Sequence, residues 1–213
     1  MKGPDGTNAV QLLLLVGGLT LIPALLFTVT AFTRIIIVLG FIRQGLGTQS
    51  APPNQVLVGI ALFLTIFVMA PTFTQIKKDA IDPLQKGKIT QTQAFNRGQQ
   101  PLREFMFRQT RTTDLALFVK LGKIEKVKTR KDVPTYVLIP AFIISELKTA
   151  FQIGFLIFLP FLVIDLVVSS TLMSMGMFML PPVLVSLPFK LLLFVMVDGW
   201  ALIVRSLITS FHH

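Results

Sequence analysis

Long apolar stretches, separated by polar connectors, dominate this chain of 213 residues. The first covers about residues 9–32 and continues past Arg34 to Leu39. The second covers about residues 55–76, and two more fill residues 136–211 almost without interruption. About 20 apolar residues let a helix cross the hydrocarbon core of a bilayer. The first stretch lacks a clear cleavage site, so we expect a retained helix rather than a signal peptide. The pattern predicts an all-α fold of integral-membrane-type helical hairpins.

A polar segment, residues 77–134, separates the apolar parts of the chain. Turn-forming residues open it, and apolar residues at helical spacing predict helices at about residues 101–111 and 113–121. We therefore divide the chain into three parts. These are N-terminal hydrophobic helices (residues 1–76), a polar basic middle segment (residues 77–134) and C-terminal hydrophobic helices with a broken Met/Pro loop (residues 135–213).

The composition indicates a membrane protein without enzymatic chemistry. Hydrophobic residues make up 53% of the chain and charged residues 14%, whereas soluble domains carry roughly 25% charged residues. The sequence has no cysteine, and its two histidines, His212 and His213, end the chain. Histidine-dependent catalysis, thiolate metal sites and a glycine-rich phosphate loop therefore find no candidate residues. We expect a protein that is not an enzyme and has no metal or cofactor site.

Positive charge is concentrated in the middle segment. The formal net charge is +10, and residues 77–134 contain 14 of the 20 Lys and Arg residues and 6 of the 10 acidic residues. In a membrane protein such a segment indicates a cytoplasmic location or contact with anionic lipid before it indicates nucleic acid. It also lacks the interleaved aromatic residues of a nucleic-acid surface. We expect contact with membrane lipid and no nucleic-acid binding.

The third apolar stretch contains a break. Residues 149–189 carry one charged side chain, Asp165, and the glycine and prolines between Asp165 and Pro188 predict that no helix runs unbroken through them. Methionine occupies every second position from Met173 to Met179. In an extended segment such side chains share one side and could form an adaptable closure. The spacing alone favours the alternative, in which methionines fill an apolar core.

Acidic and basic residues are balanced in the C-terminal part, with Glu146, Asp165 and Asp198 against Lys148, Lys190 and Arg205. Glu146 and Lys148 lie two positions apart, so they do not face each other on one helix and each needs a partner elsewhere. Asp165 and Asp198 are available for Lys190. A proton or ion relay is the competing interpretation, but the balance of charge favours structural pairing.

Several motifs resemble those of the FliP family. They are residues 142–151 (FIISELKTAF), 154–156 (GFL), 160–168 (PFLVIDLVV), 187–191 (LPFKL) and 198–200 (DGW), and upstream residues 32–34 (FTR), 43–44 (RQ), 47–49 (GTQ) and 52–55 (PPNQ). The resemblance covers about residues 20–210 and is least specific in the middle segment. It implies a core subunit of the flagellar type III protein export gate, which forms the channel for unfolded flagellar proteins across the bacterial inner membrane.

The resemblance also implies an assembly. Family members form a homo-oligomeric ring of about five copies within a channel complex that contains FliR and FliQ, with FlhB and FlhA nearby. Unfolded flagellar substrates pass through it at the flagellar basal body. Much of the assembly lies on the periplasmic side, with its hydrophobic helices covered by neighbouring subunits.

Specific residues acquire expected roles from the same resemblance. The family's pore gasket falls on Met177, Phe178 and Met179, with Met175 beside them, and Phe178 departs from an all-methionine gasket. The resemblance thus favours the closure over the core filling. We expect four charged residues at subunit interfaces: Glu146, Lys148, Asp165 and Lys190. Of these, Glu146 and Lys190 resemble a charged pair between neighbouring subunits, and Asp165 resembles a functionally sensitive acid.

Two alternatives stay open at this point. One is an injectisome export-gate homologue, and the other is an ion-coupled secondary transporter or channel, which would also show broken helices with charges at mid-membrane. The transporter would need an inverted repeat, which the two halves of the sequence do not show. The positive-inside rule places the basic segment in the cytoplasm, whereas the resemblance places it in the periplasm. Because the rule weakens for segments of about 60 residues, we follow the resemblance.

Overall fold

Helices make up nearly all of the part of the chain that the computed structural model describes, namely residues 17, 23, 26–48, 50–124, 129 and 132–211. These residues contain no β-strand, which confirms the predicted all-α class. The helices are α1 (Phe32–Gly45), α2 (Asn54–Ile76), α3 (Asp82–Gln85), α4 (Gln91–Gln109), α5 (Thr112–Leu121), α6 (Thr135–Ser174), α7 (Pro182–Met196) and α8 (Gly199–Thr209), with a π-helical turn at Lys77–Ile81. The retained helix expected at residues 9–32 falls mostly outside the described residues.

Helices α1 and α6 interlock through two reciprocal contacts between a ring and a glycine. Phe41 of α1 lies against Gly154 of α6, and Phe161 of α6 lies against Gly45 of α1. A Cβ atom at Gly154 would lie 2.4 Å from Cδ2 of Phe41, and one at Gly45 would lie 2.7 Å from Cδ2 of Phe161. Only glycine leaves room for rings at this distance. The two contacts together fix the register of α1 along α6.

The helix that begins as α2 continues through the π-helical turn into α3 and ends at a glycine. The N–H groups of Gly87 and Lys88 donate to the carbonyls of Leu84 and Pro83 at 3.0 and 2.9 Å, and Gly87 has a φ of +67°. This is the Schellman arrangement, in which a left-handed glycine satisfies the last helical carbonyls. The predicted segment boundary at residue 76 therefore falls inside a continuous helical run. The division of the chain into three parts stays a prediction.

The polar middle segment folds back onto the apolar helices. A capping box between Thr90 and Gln93 starts α4. Further along α4, the ring of Phe105 lies 5.9 Å from that of Phe142 on α6 in an edge-to-face arrangement. Helix α5 follows immediately and also packs on α6. The helices predicted at residues 101–111 and 113–121 are confirmed, and α4 begins ten residues earlier than predicted.

Among the described residues, two helical runs are long and apolar enough to cross a membrane, Asn54–Gln85 and Thr135–Ser174. The count is three if the bent pair α7–α8 forms one span. Helix α6 has 40 residues, which at 1.5 Å per residue gives a length of about 60 Å. A bilayer core is only about 30 Å thick. Half of α6 must therefore lie outside the hydrocarbon core or cross it at a steep tilt.

Prolines interrupt the C-terminal part less often than the sequence predicted. The predicted break is confirmed, because α6 ends at Ser174 and α7 begins at Pro182. Pro188, however, lies within α7, and Pro140 and Pro160 lie within α6. In apolar helices, neighbouring helices and local adjustments accommodate a proline. Pro188 was therefore wrongly counted among the residues that end the helix.

Candidate functional site

The broken loop between α6 and α7 begins with a second Schellman arrangement. The N–H groups of Gly176 and Met177 donate to the carbonyls of Met173 and Leu172 at 3.0 and 2.9 Å, and Gly176 has a φ of +76°. A glycine tolerates this left-handed conformation without strain, so α6 ends cleanly here. Met173 consequently lies in the last turn of α6, and the loop holds only the later methionines.

The loop carries apolar side chains that the chain itself does not cover. Met179 is 98% exposed and Phe178 is 78% exposed, and Met175 and Met177 are also exposed. Pro181 and Pro182 then start α7 in a backbone conformation suited to a helix N-terminus. An exposed apolar loop between two long helices is a surface for another molecule or another copy. The predicted core filling by methionine does not occur within this single chain.

An ion pair fixes the two helices on either side of the loop. Nζ of Lys190 on α7 donates to Oδ2 of Asp165 on α6 at 2.6 Å, and Oγ of Ser186 donates to Oδ1 of the same carboxylate at 2.6 Å. Lys190 and Ser186 are buried, whereas Asp165 is partly exposed. Gly47 of the α1–α2 connector lies over Lys190. This arrangement sets the register of α7 against α6 and hence the position of the loop.

A second ion pair lies deep in the fold. Arg34 on α1 donates to both carboxylate oxygens of Glu146 on α6, with Nε 2.8 Å from Oε2. The remaining guanidinium N–H groups reach the carbonyl and hydroxyl of Ser210 at 2.8 and 3.0 Å and Oε1 of Gln109 at 3.1 Å. The ring of Phe211 covers the guanidinium at 3.9 Å. The pair therefore ties α1, α4, α6 and the end of α8 together.

A third ion pair joins the middle segment to α6. Lys148 donates to the buried carboxylate of Asp114 on α5, and Oγ of Ser145 donates to Oδ2 of Asp114 at 2.9 Å. Burial raises the pKa of Asp114, but the hydrogen bonds from Lys148 and Ser145 and the charges of Lys148 and Arg111 outweigh it. The pKa of this carboxyl therefore lies below its ordinary value. Asp114 stays charged at neutral pH.

The four charged residues expected at subunit interfaces, Glu146, Lys148, Asp165 and Lys190, thus each have a partner within the chain. Glu146 and Lys148 pair with different helices, as their spacing predicted, and Lys190 takes Asp165 rather than Asp198. A contact between Glu146 of one subunit and Lys190 of the next stays a prediction. Such a contact would have to form while Glu146 and Lys190 keep their partners within the chain, Arg34 and Asp165.

Two partners escaped the sequence analysis. Arg34 interrupts the first apolar stretch, and its partner Glu146 lies 112 positions away along the chain. Asp114 lay unnoticed in the polar segment. Its signal was its place in the first turn of a helix with a modest apolar face, where an acid that faces the core needs a cation.

The chain resembles the FliP family over most of its length. The model of that family, described as "FliP family", matches residues 15–207. The chain is 58% identical over 205 residues to the "Flagellar biosynthetic protein FliP" of Bacillus subtilis (strain 168). The aligned residues cover 96% of this chain and 93% of that protein. The identity is 55% over 210 residues with the protein of the same name from Pectobacterium carotovorum subsp. carotovorum, covering 99% and 81%. It is 53% over 212 residues with that of Borreliella burgdorferi, covering 98% and 84%.

Proposed function

The chain belongs to the FliP family, and on that basis we propose that it is a core subunit of the flagellar type III protein export gate. Its role is to form the channel for unfolded flagellar proteins across the inner membrane. The relatives that carry the match are named as flagellar proteins, which favours the flagellar over the injectisome alternative. Family membership also disfavours the secondary transporter. Protein conduction by such a subunit requires a pore and a closure, and no catalysis.

Assembly with other chains is supported by the apolar surface that the single chain leaves uncovered. Phe63 on α2 is 77% exposed, and exposed apolar side chains also run along α6 and α7. Because α6 is about twice as long as a bilayer core is thick, lipid alone can cover this surface only if α6 is steeply tilted. A ring of about five copies, with FliR and FliQ packed beside it and FlhB and FlhA nearby, would cover it. Much of the assembly would then stand on the periplasmic side of the inner membrane.

The observation that carries the channel proposal is the exposed loop at residues 175–180. In a ring, each copy would contribute one such loop, and the loops would meet around the axis. Methionine is unbranched and polarizable, so a collar of these side chains can close tightly and still yield to a passing polypeptide. Phe178 adds a stiffer ring to the collar. The ion pair of Lys190 with Asp165 holds the helices on either side at a fixed register.

Conductance measurements test the collar. We expect a variant in which Met175, Met177, Phe178 and Met179 are all replaced by Ala to assemble normally and to leak small ions. The matched control is Phe95→Ala, because Phe95 on α4 and Phe178 are the same residue type with similar exposure, 72% and 78%. The control should stay closed. An assembled loop variant that conducts no more ions than the wild-type complex would refute the collar, though not the membership in the family.

A further inference from the structure

Two ionisable residues in the C-terminal part have no ion-pair partner among the described residues. Glu146, Lys148, Asp165 and Lys190 are each engaged within the chain. Asp198 and Arg205, one acid and one base, make no side-chain ion pair or hydrogen bond with any described residue. Both are exposed on the surface.

Asp198 stands at a corner of the backbone. It precedes α8 with a φ of +51°, a left-handed conformation that costs a non-glycine residue free energy. Helices α7 and α8 meet there at a bend of 65°. The neighbouring Val195 and Met196 are 73% and 76% exposed. An exposed carboxylate on a fixed corner is therefore surrounded by uncovered apolar side chains.

Arg205 lies about two turns into α8, whereas Asp198 stands immediately before the first residue of that helix. The exposed residues of α8 are Trp200, Ala201, Leu202, Arg205, Ser206 and Thr209, and all of them except Trp200 recur at the spacing of one helical face. Asp198 and Arg205 are seven positions apart, which is about 10.5 Å along the helix axis. That separation is too long for a direct ion pair between them within one chain. The exposed surface thus presents an acid at the N-terminal end of α8 and a base about two turns further along, with the exposed apolar residues Ala201 and Leu202 between them in sequence.

We propose that this exposed face of α8 is a contact between two copies of the chain, in which Asp198 of one copy pairs with Arg205 of the next. Each copy supplies one charge to each of its two neighbours, so the contact runs head to tail. A head-to-tail contact repeats around an axis, and it closes into a ring when the rotation between successive copies adds up to a full turn. The proposal rests on the proposed function and adds to it by naming the surface and the charges that join the copies.

A second copy fits this face better than lipid or water does. A carboxylate and a guanidinium among apolar side chains are costly in lipid unless they are paired. Water would satisfy both charges but would leave the apolar residues of the corner uncovered. A second copy supplies the complementary charge and the apolar cover at once. Charge complementarity of this kind fixes the register of an interface and disfavours wrong partners.

Charge reversal in the full-length chain, co-expressed with its partner subunits, tests the contact. We expect Arg205→Asp and Asp198→Lys each to lower the assembled fraction about tenfold or more, since each places like charges together. The double variant restores the pair in reverse and should return assembly to near the wild-type level. Lys88→Asp, a reversal at an exposed cation of the middle segment, should leave assembly unchanged. Normal assembly of both single variants, or a folded double variant that assembles no better than they do, overturns the contact.

Cysteine pairing gives a second readout that does not depend on the stability of the reversal variants. The chain has no cysteine, so introduced ones report without background. A disulfide needs Cα atoms within about 7 Å, which rules out pairing of positions 198 and 205 within one helix. We expect Asp198→Cys copies mixed with Arg205→Cys copies to form a covalent dimer on oxidation, and Lys88→Cys copies mixed with Arg205→Cys copies to form none.

The outcomes separate this contact from the proposed function. A ring of intact mass that forms no disulfide between positions 198 and 205 overturns the contact and leaves the export-gate proposal standing. A wild-type chain that forms no ring overturns both.

Discussion

Removing the buried carboxylate of Glu146 should destabilise the protein more than any substitution of an exposed charge. Glu146→Ala leaves the guanidinium of Arg34 with only the oxygens of Ser210 and Gln109 as partners. Arg34 is 2% exposed and Glu146 is fully buried, so water cannot replace the lost carboxylate. The positive charge is then buried without compensation.

The size of the effect follows from this geometry. Removing one member of a buried ion pair typically costs about 3–5 kcal/mol. For a chain of 213 residues, each kcal/mol lowers Tm by about 2–4 °C, which gives an expected decrease of about 6–20 °C. Replacing both members by apolar residues, Arg34→Met with Glu146→Leu, avoids the unpaired charge. That double variant should be more stable than Glu146→Leu alone.

Thermal unfolding of the purified chain in detergent, followed by circular dichroism, measures the effect. The matched control is Glu104→Ala, the same substitution at an exposed acid of α4, which should change the stability by no more than about 0.5 kcal/mol. A Glu146→Ala variant that unfolds within about 2 °C of the wild type would show that Arg34 finds other compensation, and the reasoning about the buried pair would be wrong.

Three further predictions concern the remaining contacts. Lys190→Glu should impair export, measured by motility. Adding Asp165→Lys should rescue motility better than adding Glu146→Lys does, because the partner of Lys190 within the chain is Asp165. Equal rescue by both would argue against that pair. The pKa of Asp114 is lowered in the folded protein, so its charged form stabilises the fold at any pH above its ordinary pKa. This contribution is lost as the pH falls through the lowered pKa. The Tm advantage of the wild type over Asp114→Asn should therefore persist at pH 7 and shrink in acid. A difference that grows in acid would contradict this sign. Gly154→Ala places a methyl group 2.4 Å from a ring carbon of α1, so it should lower Tm by several degrees, whereas an unchanged Tm would show that the ring moves freely.

The helices were predictable because their signals are local. Apolar periodicity and length identified α2 and α6. Gly176 and the two consecutive prolines, Pro181 and Pro182, marked the loop between α6 and α7. The capping box at Thr90 and the glycine at position 87 are also local signals, which mark the start of α4 and the end of α3. The prediction that Pro188 breaks the helix was wrong. The effect of a proline depends on whether a neighbouring helix accommodates the kink, which sequence spacing does not reveal.

The pairing of charges was only partly predictable, because it depends on how distant helices pack. The spacing of Glu146 and Lys148 showed that they do not pair with each other. It could not show that Arg34, more than 100 positions away, supplies the partner of Glu146. Lys190 had two acids within reach along the sequence, and the packing of α7 on α6 selects Asp165. The exposed loop at residues 175–180 illustrates the same limit, since methionine spacing alone favoured a buried core.

The most direct test of the export-gate proposal is the mass of the detergent-extracted complex, measured by native mass spectrometry for the chain alone and for the chain co-expressed with its partner subunits. The account predicts a discrete assembly of about five copies that gains mass when the partners are present. A monomer or dimer under both conditions would contradict it, because a single loop at residues 175–180 cannot close a channel.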